Sequence, residues 1–303
     1  MLYLAVVIVG VYVGIALGSP KWIQQESVSE PYIAATGTQQ STELDTASVQ
    51  SSDAGQISGA DMSSEPDAGA ALTGADSEET ESKDPEERTP SGATVVAHGS
   101  LYPEGFETDD IPEYSGKKYV IINDGVPYFT DEDRNKATEP FELYSALDGL
   151  GRCGTAYANA CRELLPTEKR GDISEIHPTG WKQQKYDGIV DADPPYLYNR
   201  SHLIAHKLAG EDANVYNLIT GTRYFNADGM SYVEDRVYDY VKSTGNHVLY
   251  RVTPVFDGND LLARGVLMEA RSVEDDKICY CEFIYNVQPG VYIDYSDGSN
   301  HKE

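Results

Sequence analysis

Residues 196–234 read YLYNRSHLIAHKLAGEDANVYNLITGTRYFNADGMSYVE. The first part is a strand-like run that reaches a histidine, a polar loop with asparagines follows, and an amphipathic helix begins near Asp228. Side chains alternate along a strand, so Tyr198, Arg200 and His202 share one face and Asn199 and Ser201 the other. In the helix, Met230, Val233, Val237, Tyr240 and Val241 repeat near i, i+3, i+7, i+10 and i+11, an apolar stripe, and Gly245 is placed to end it. A local hairpin followed by a helix can carry one compact site.

The residue types in this stretch suit hydrolysis of a phosphodiester. That chemistry needs a base to activate water, a cation to stabilise developing charge and a clamp for the phosphate. His202 is the candidate base, because a free imidazole titrates near pH ~6.5 and is mostly neutral above it. Arg200, two residues earlier on the same face, is placed to hold a phosphate oxygen, and Arg223 is a second clamp. Mg²⁺, with Mn²⁺ as its substitute, keeps most of its waters and needs few protein oxygens. The amide oxygen of Asn226 is the candidate ligand. Glu234 lies eight residues beyond, just over two helical turns and ~12 Å of rise, which favours contact with a metal-bound water over direct ligation. Asn217 is the remaining polar candidate. His206 forms H-x-x-x-H with His202, the spacing of a helical zinc pair, but Leu203 stands where a glutamate is expected and no third ligand is evident. His247 heads a strand-like run and reads as structural.

Outward from this centre, Asp124-Gly125 between residues 119–123 and 126–129 predicts a hairpin. His177 and Trp181 near Lys182 and Lys185 can hold a nucleic-acid strand, although a loop with one packed tryptophan is the plainer reading. HVLYRVTPVF (247–256), LLARGVLMEARSV (261–273) and CYCEFIYNVQP (279–289) read as strands. Strands on both sides of one helix, without a βαβ rhythm, predict an α+β fold with a largely antiparallel sheet.

The chain has 303 residues and a formal charge of −27. Residues 1–98 carry 15 acidic and 3 basic side chains, and residues 99–303 carry 35 and 20. Such acidity excludes a passive electrostatic binder of nucleic acid, since that binding rests on neutralised phosphates. It leaves room for an enzyme with a local basic patch. Cys153, Cys161, Cys279 and Cys281 are too few for a disulfide scaffold, show no C-x-x-C spacing, and divide evenly between free thiols and a long-range bridge. Residues 1–18 are apolar throughout, with Lys21 the first charge, and read as a signal peptide or a membrane anchor. Residues 19–98, rich in Ser, Thr, Ala, Gly, Asp and Glu, read as a disordered acidic linker, and residues 99–303 as the folded domain.

The central motifs resemble the DNA/RNA non-specific endonuclease family, whose fold is the ββα-metal (His-Me) finger. Asn199-Arg200-Ser201-His202 matches the family signature Asp-Arg-Gly-His. The runs NRSHLI, NLITGTRYFN and HVLYRVTP are similar to secreted or surface nucleases of Gram-positive bacteria, and the resemblance covers residues 114–295. It implies that His202 is the general base and Asn226 the direct Mg²⁺ ligand. It also implies that Asn217 is an active-site asparagine and that Glu234 stands near the metal waters. It implies cleavage of DNA and RNA to 5′-phosphates outside the cell, with the membrane a partner if residues 1–18 are retained. No inhibitor protein is legible. The departures from the signature, Asn199 for Asp and Ser201 for Gly, fall on the face away from His202. The rival reading is a non-catalytic surface protein that binds a partner on the same fold.

Overall fold

Residues 247–289 become the centre of a seven-stranded sheet in this computed structural model, which describes residues 88–89, 91–137 and 139–303. In chain order the strands are β1 (Thr94–Val96), β2 (Tyr119–Ile121), β3 (Glu142–Ser145), β4 (Ala156–Ala160), β5 (Tyr198–His202), β6 (Leu218–Thr222), β7 (Val248–Val255), β8 (Gly265–Ser272), β9 (Cys279–Tyr285), β10 (Val291–Ile293) and β11 (Asn300–Lys302). The helices are α1 (Asp131–Lys136), α2 (His206–Ala209) and α3 (Ser231–Thr244). The large sheet runs β1-β3-β4-β7-β8-β9-β2, with β5–β6 and β10–β11 as separate two-stranded ribbons. Every described pairing between strands is antiparallel except β1 with β3. The expected α+β fold with a largely antiparallel sheet is what forms.

Period-two alternation sorts the central strands into two buried faces. Val248, Tyr250 and Val252 of β7 and Val266, Met268 and Ala270 of β8 face one core with Phe225, Val233, Val237 and Val241. Leu249, Val255, Leu267 and Phe283 face the other side, under residues that include Phe106 and Phe129. The stripe of α3 is fully used: Met230, Val233, Val237, Tyr240 and Val241 are all buried. Gly245 adopts φ 76° and its N–H caps the carbonyl of Val241, so the helix stops where the glycine permits it.

Three expectations change. Residues 126–129 form no strand against β2, although the turn at residues 123–125 does form. Pro127 has no N–H to give a ladder, and the Tyr128 N–H goes to the Glu269 carboxylate instead, so β2 pairs with β9. The fold also starts before residue 99, because β1 pairs Val95 with Tyr144 and buries Val95. A three-residue apolar run inside a Ser/Thr-rich stretch gives too weak a period to read. The four cysteines are free, with Cys279 exposed and the others buried. The apolar segment 1–18 and residues 19–87 lie outside the described residues.

Candidate active site

The ribbon β5–β6 sets the site. Its register pairs Asn199 with Gly221, Arg200 with Thr220 and His202 with Leu218. Ser201 turns inward and is fully buried. A Cβ on Gly221 would stand 2.3 Å from the Ser201 hydroxyl and 2.5 Å from the Phe225 ring, so only glycine fits across from this strand. After β6 the chain winds one seven-residue π-helical segment, Tyr224–Met230, and continues directly into α3. That segment carries Asn226 at its start and rests on β9, where a Cβ on Gly229 would lie 2.5 Å from Ile284. π-helical segments widen the turn and are frequent at functional sites.

His202 is buried, with Nε2 3.0 Å from the backbone oxygen of Asp212. A carbonyl can only accept, so Nε2 carries the hydrogen and Nδ1 the lone pair. Arg170 Nη2 lies 3.3 Å from Nδ1. Burial first, then the Arg170 charge, lowers the His202 pKa to about 4, so the ring is neutral at pH 7. Asn217 holds the chain just past this histidine. Its Oδ1 accepts from the Ile204 N–H at 2.8 Å, and its Nδ2 donates to the Ile204 carbonyl at 2.9 Å. Asn217 is fully buried with both ends of its amide committed, which ties the start of β6 to the chain just past His202.

Arg170, Arg200, Arg223, Asn199, Asn226 and Trp181 line one cleft of about 620 Å³ whose walls contain no acidic residue. In a chain of charge −27 this is a local inversion of sign. Asn199 lines the cleft along with Arg200, although alternation puts the two on opposite faces of β5. Arg200 is steadied by the carbonyls of Ser174 and Ile176 and stacks 4.4 Å over Trp181. Carbonyls and a ring orient a guanidinium without neutralising it. The Asn226 amide makes no hydrogen bond to a described residue and offers a hard oxygen in the cleft, a fit for a cation that keeps its waters.

Glu234 is buried and does not line the cleft. Its carboxylate is 3.2 Å from Lys207, which also reaches Asp235 at 2.6 Å. Burial pushes Glu234 up to about 7, with Lys207 and Arg170 pulling the other way. For Lys207, burial favours the neutral amine, but Glu234 and Asp235 outweigh it and keep the charge. The zinc-pair spacing of His202 and His206 does not assemble. The first ends β5, and the second begins α2 and points to Asp212 at 3.3 Å.

Sequence reading passed over Arg170 and Asp212. Arg170 sits in a charged turn with no periodicity, 32 residues before His202. Asp212 acts through its backbone oxygen, which leaves no side-chain signal, while its carboxylate accepts from the Gly171 N–H at 2.8 Å and so docks the Arg170 loop.

Residues 133–274 match the family model described as DNA/RNA non-specific endonuclease. A deoxyribonuclease of Streptococcus dysgalactiae subsp. equisimilis is 35% identical over 195 residues, covering 52% of this chain and 59% of that protein. The chain therefore spans less than two thirds of that relative. The fold is similar to NucA from Streptococcus agalactiae with magnesium bound (TM-score 0.53, 23% identity, 60% of this chain and 87% of that one). It is also similar to Sda1 nuclease with bound zinc (TM-score 0.50, 28% identity, 61% and 96%). The motifs, the family model over residues 133–274 and these relatives agree in what they liken this chain to: the DNA/RNA non-specific endonucleases.

Proposed function

We propose that this chain is a divalent-metal-dependent nuclease that hydrolyses phosphodiester bonds of DNA and RNA without sequence preference, outside the cell or at its surface. One observation carries the reading. A buried, neutral histidine has its Nδ1 lone pair touched by Arg170, and Arg170 lines the acid-free cleft that holds Arg200, Arg223 and Asn226. In this reading Arg170, Arg200 and Arg223 bind non-bridging phosphate oxygens. A phosphate is a stronger partner for a guanidinium than an imidazole lone pair, so substrate draws Arg170 away and frees Nδ1. With Arg170 neutralised, the His202 pKa rises toward working pH, where a base is most effective. Nδ1 takes the proton of an attacking water, the new P–O bond forms, and the P–O3′ bond breaks to leave a 5′-phosphate and a 3′-oxygen that takes a proton from solvent water.

Asn226 would hold the metal, which when bound offsets charge on the phosphate and leaving oxygen. Magnesium in one relative and zinc in another support a divalent ion, and the hard amide donor favours Mg²⁺ or Mn²⁺. Asn217 and Glu234 support, the first by fixing the hairpin, the second by its charge near Arg170 and Lys207. Residues 1–18 serve as the export signal or anchor and the acidic stretch after them as the tether. A nuclease without sequence preference in the cytoplasm would attack its own genome, which also favours export.

The test is digestion of plasmid and of RNA by the full chain, wild type beside His202→Ala, with Mg²⁺ and with EDTA. The expected outcome is cutting of both substrates only by wild type with metal. Equal cutting by His202→Ala would refute the mechanism, and no cutting under any divalent ion would favour the binding-protein reading.

A further inference from the structure

Outside the cleft, the end of β4 and the start of β7 bring a thiol, a carboxylate and an imidazole together. β4 and β7 pair Ala160 with Val248, so the next register step sets Cys161 opposite His247. Directly opposed residues in such a ladder hold their Cβ atoms ~4.5–5.5 Å apart. Residues Arg162–Leu164 then form a single 3-10 turn, which brings the Glu163 carboxylate back toward Cys161. As a result Cys161 Sγ, a Glu163 carboxylate oxygen and a His247 ring nitrogen all lie within 4.8 Å of one another. None of the three lines the arginine cleft.

A fourth residue orients the set. Glu274 takes His247 Nδ1 at 2.6 Å and the His247 backbone N–H at 2.9 Å. Nδ1 thus carries the hydrogen, and Nε2 keeps the lone pair. A carboxylate behind a histidine in this way is the usual outer support of a metal-ligating imidazole.

We propose that Cys161, Glu163 and His247 form a second metal site that takes a borderline ion, Zn²⁺, and clamps β4 to β7. The donor set decides the ion. A thiolate is too soft for Mg²⁺ or Ca²⁺, whereas Cys, His and carboxylate together suit tetrahedral Zn²⁺ with water in the fourth place. Bonds of ~2.0–2.3 Å space tetrahedral ligands roughly 3.3–3.8 Å apart, a short closure from the observed spread. On binding, Cys161 releases its thiol proton to solvent, a sulfur–metal bond replaces the S–H bond, and two negative ligands balance the ion. Because the ligands come from adjacent strands and their flanking turns, the ion stabilises the fold.

Cobalt(II) reads this site directly, since a thiolate ligand gives a near-ultraviolet charge-transfer band that an oxygen-only active site cannot produce. The full chain is titrated with Co²⁺ under reducing conditions and excess Mg²⁺. The expected result is a band that saturates at one equivalent, is displaced by Zn²⁺, and survives in Cys279→Ser and Asn226→Ala. It is lost in Cys161→Ser, and Co²⁺ affinity falls ~10–100-fold in Glu274→Gln. Zn²⁺ should raise the melting temperature of wild type and not of His247→Ala, with circular dichroism checking that each variant folds. Absence of the band in folded wild type, its persistence in folded Cys161→Ser, or its loss in Cys279→Ser overturns the proposal. Unchanged Co²⁺ affinity in folded Glu274→Gln and in folded His247→Ala also overturns it, and covers the case in which Cys161→Ser does not fold.

Discussion

Arg251 and Arg200 are both strand arginines, yet they occupy opposite electrostatic worlds. On the sheet face turned from β5–β6, Arg251 is buried and binds Glu269 through two hydrogen bonds of 2.7 and 2.9 Å, with Phe129 stacked 4.7 Å away. Glu269 is fully buried and also accepts from the Tyr128 N–H. Along the cleft, Arg170, Arg200 and Arg223 have no carboxylate in the walls around them. A guanidinium matched by a buried carboxylate is spent on structure. One whose hydrogen bonds go to carbonyls or a histidine, with no carboxylate in direct contact, keeps more of its charge for an incoming anion. On the proposed function, the contrast marks the face that an acidic chain would offer to a polyanion.

His202→Ala is the strongest test of the cleft side. On the proposed mechanism, loss of a positioned base costs ~10²–10⁴-fold in rate, far more than the loss of folded molecules expected from the ~1 kcal/mol of its hydrogen bond to Asp212. A variant that kept its activity would end the distinction between the two regions. Arg251→Ala tests the other side. It leaves Glu269 buried without its partner, so unfolding free energy should drop by about 3–5 kcal/mol in denaturant titrations, with rate per folded molecule retained. If this variant instead lost turnover at full stability, the sheet face would have to be counted as part of the site.

Arg170→Ala sharpens the comparison from within the cleft. On the proposed mechanism it removes a phosphate contact, so kcat/KM should fall and the salt dependence of substrate binding should lose about one unit of slope. It also lifts a positive charge from His202, so the acid limb of the kcat/KM profile should move to higher pH. An unmoved limb would mean that burial alone sets the histidine.

The smallest effect is in stability against pH. Glu234 holds its proton more tightly when folded, at about 7, than at its ordinary 4.5. Its contribution is complete below 4.5 and is lost as pH rises through 7. Glu142, also pushed up to about 7 by burial and by Glu211, adds a loss in the same window. His202 works in reverse, from an ordinary 6.5 to about 4, so its contribution is complete above 6.5 and is lost as pH falls through 4. Glu234→Gln should therefore flatten, without abolishing, the fall in melting temperature between pH 5 and 8. A curve identical to wild type would place that slope on Glu142 alone.

Much of this molecule is local in sequence and was legible for that reason. The strand ending in His202, the stripe of α3, its stop at Gly245 and the runs that became β7, β8 and β9 follow from periods of two and 3.6 and from the backbone freedom of glycine. The order of Arg200, His202, Asn217, Asn226 and Glu234 carried the family resemblance, which the family model over residues 133–274 bears out. Tertiary structure alone decided the rest, because those interactions join residues whose separation leaves no period. It brought Arg170 to His202, showed that Asn217 spends its amide on Ile204, and sent Tyr128 to Glu269 in place of a hairpin. It also set Cys161 against His247 through a strand register that no spacing in one chain can specify.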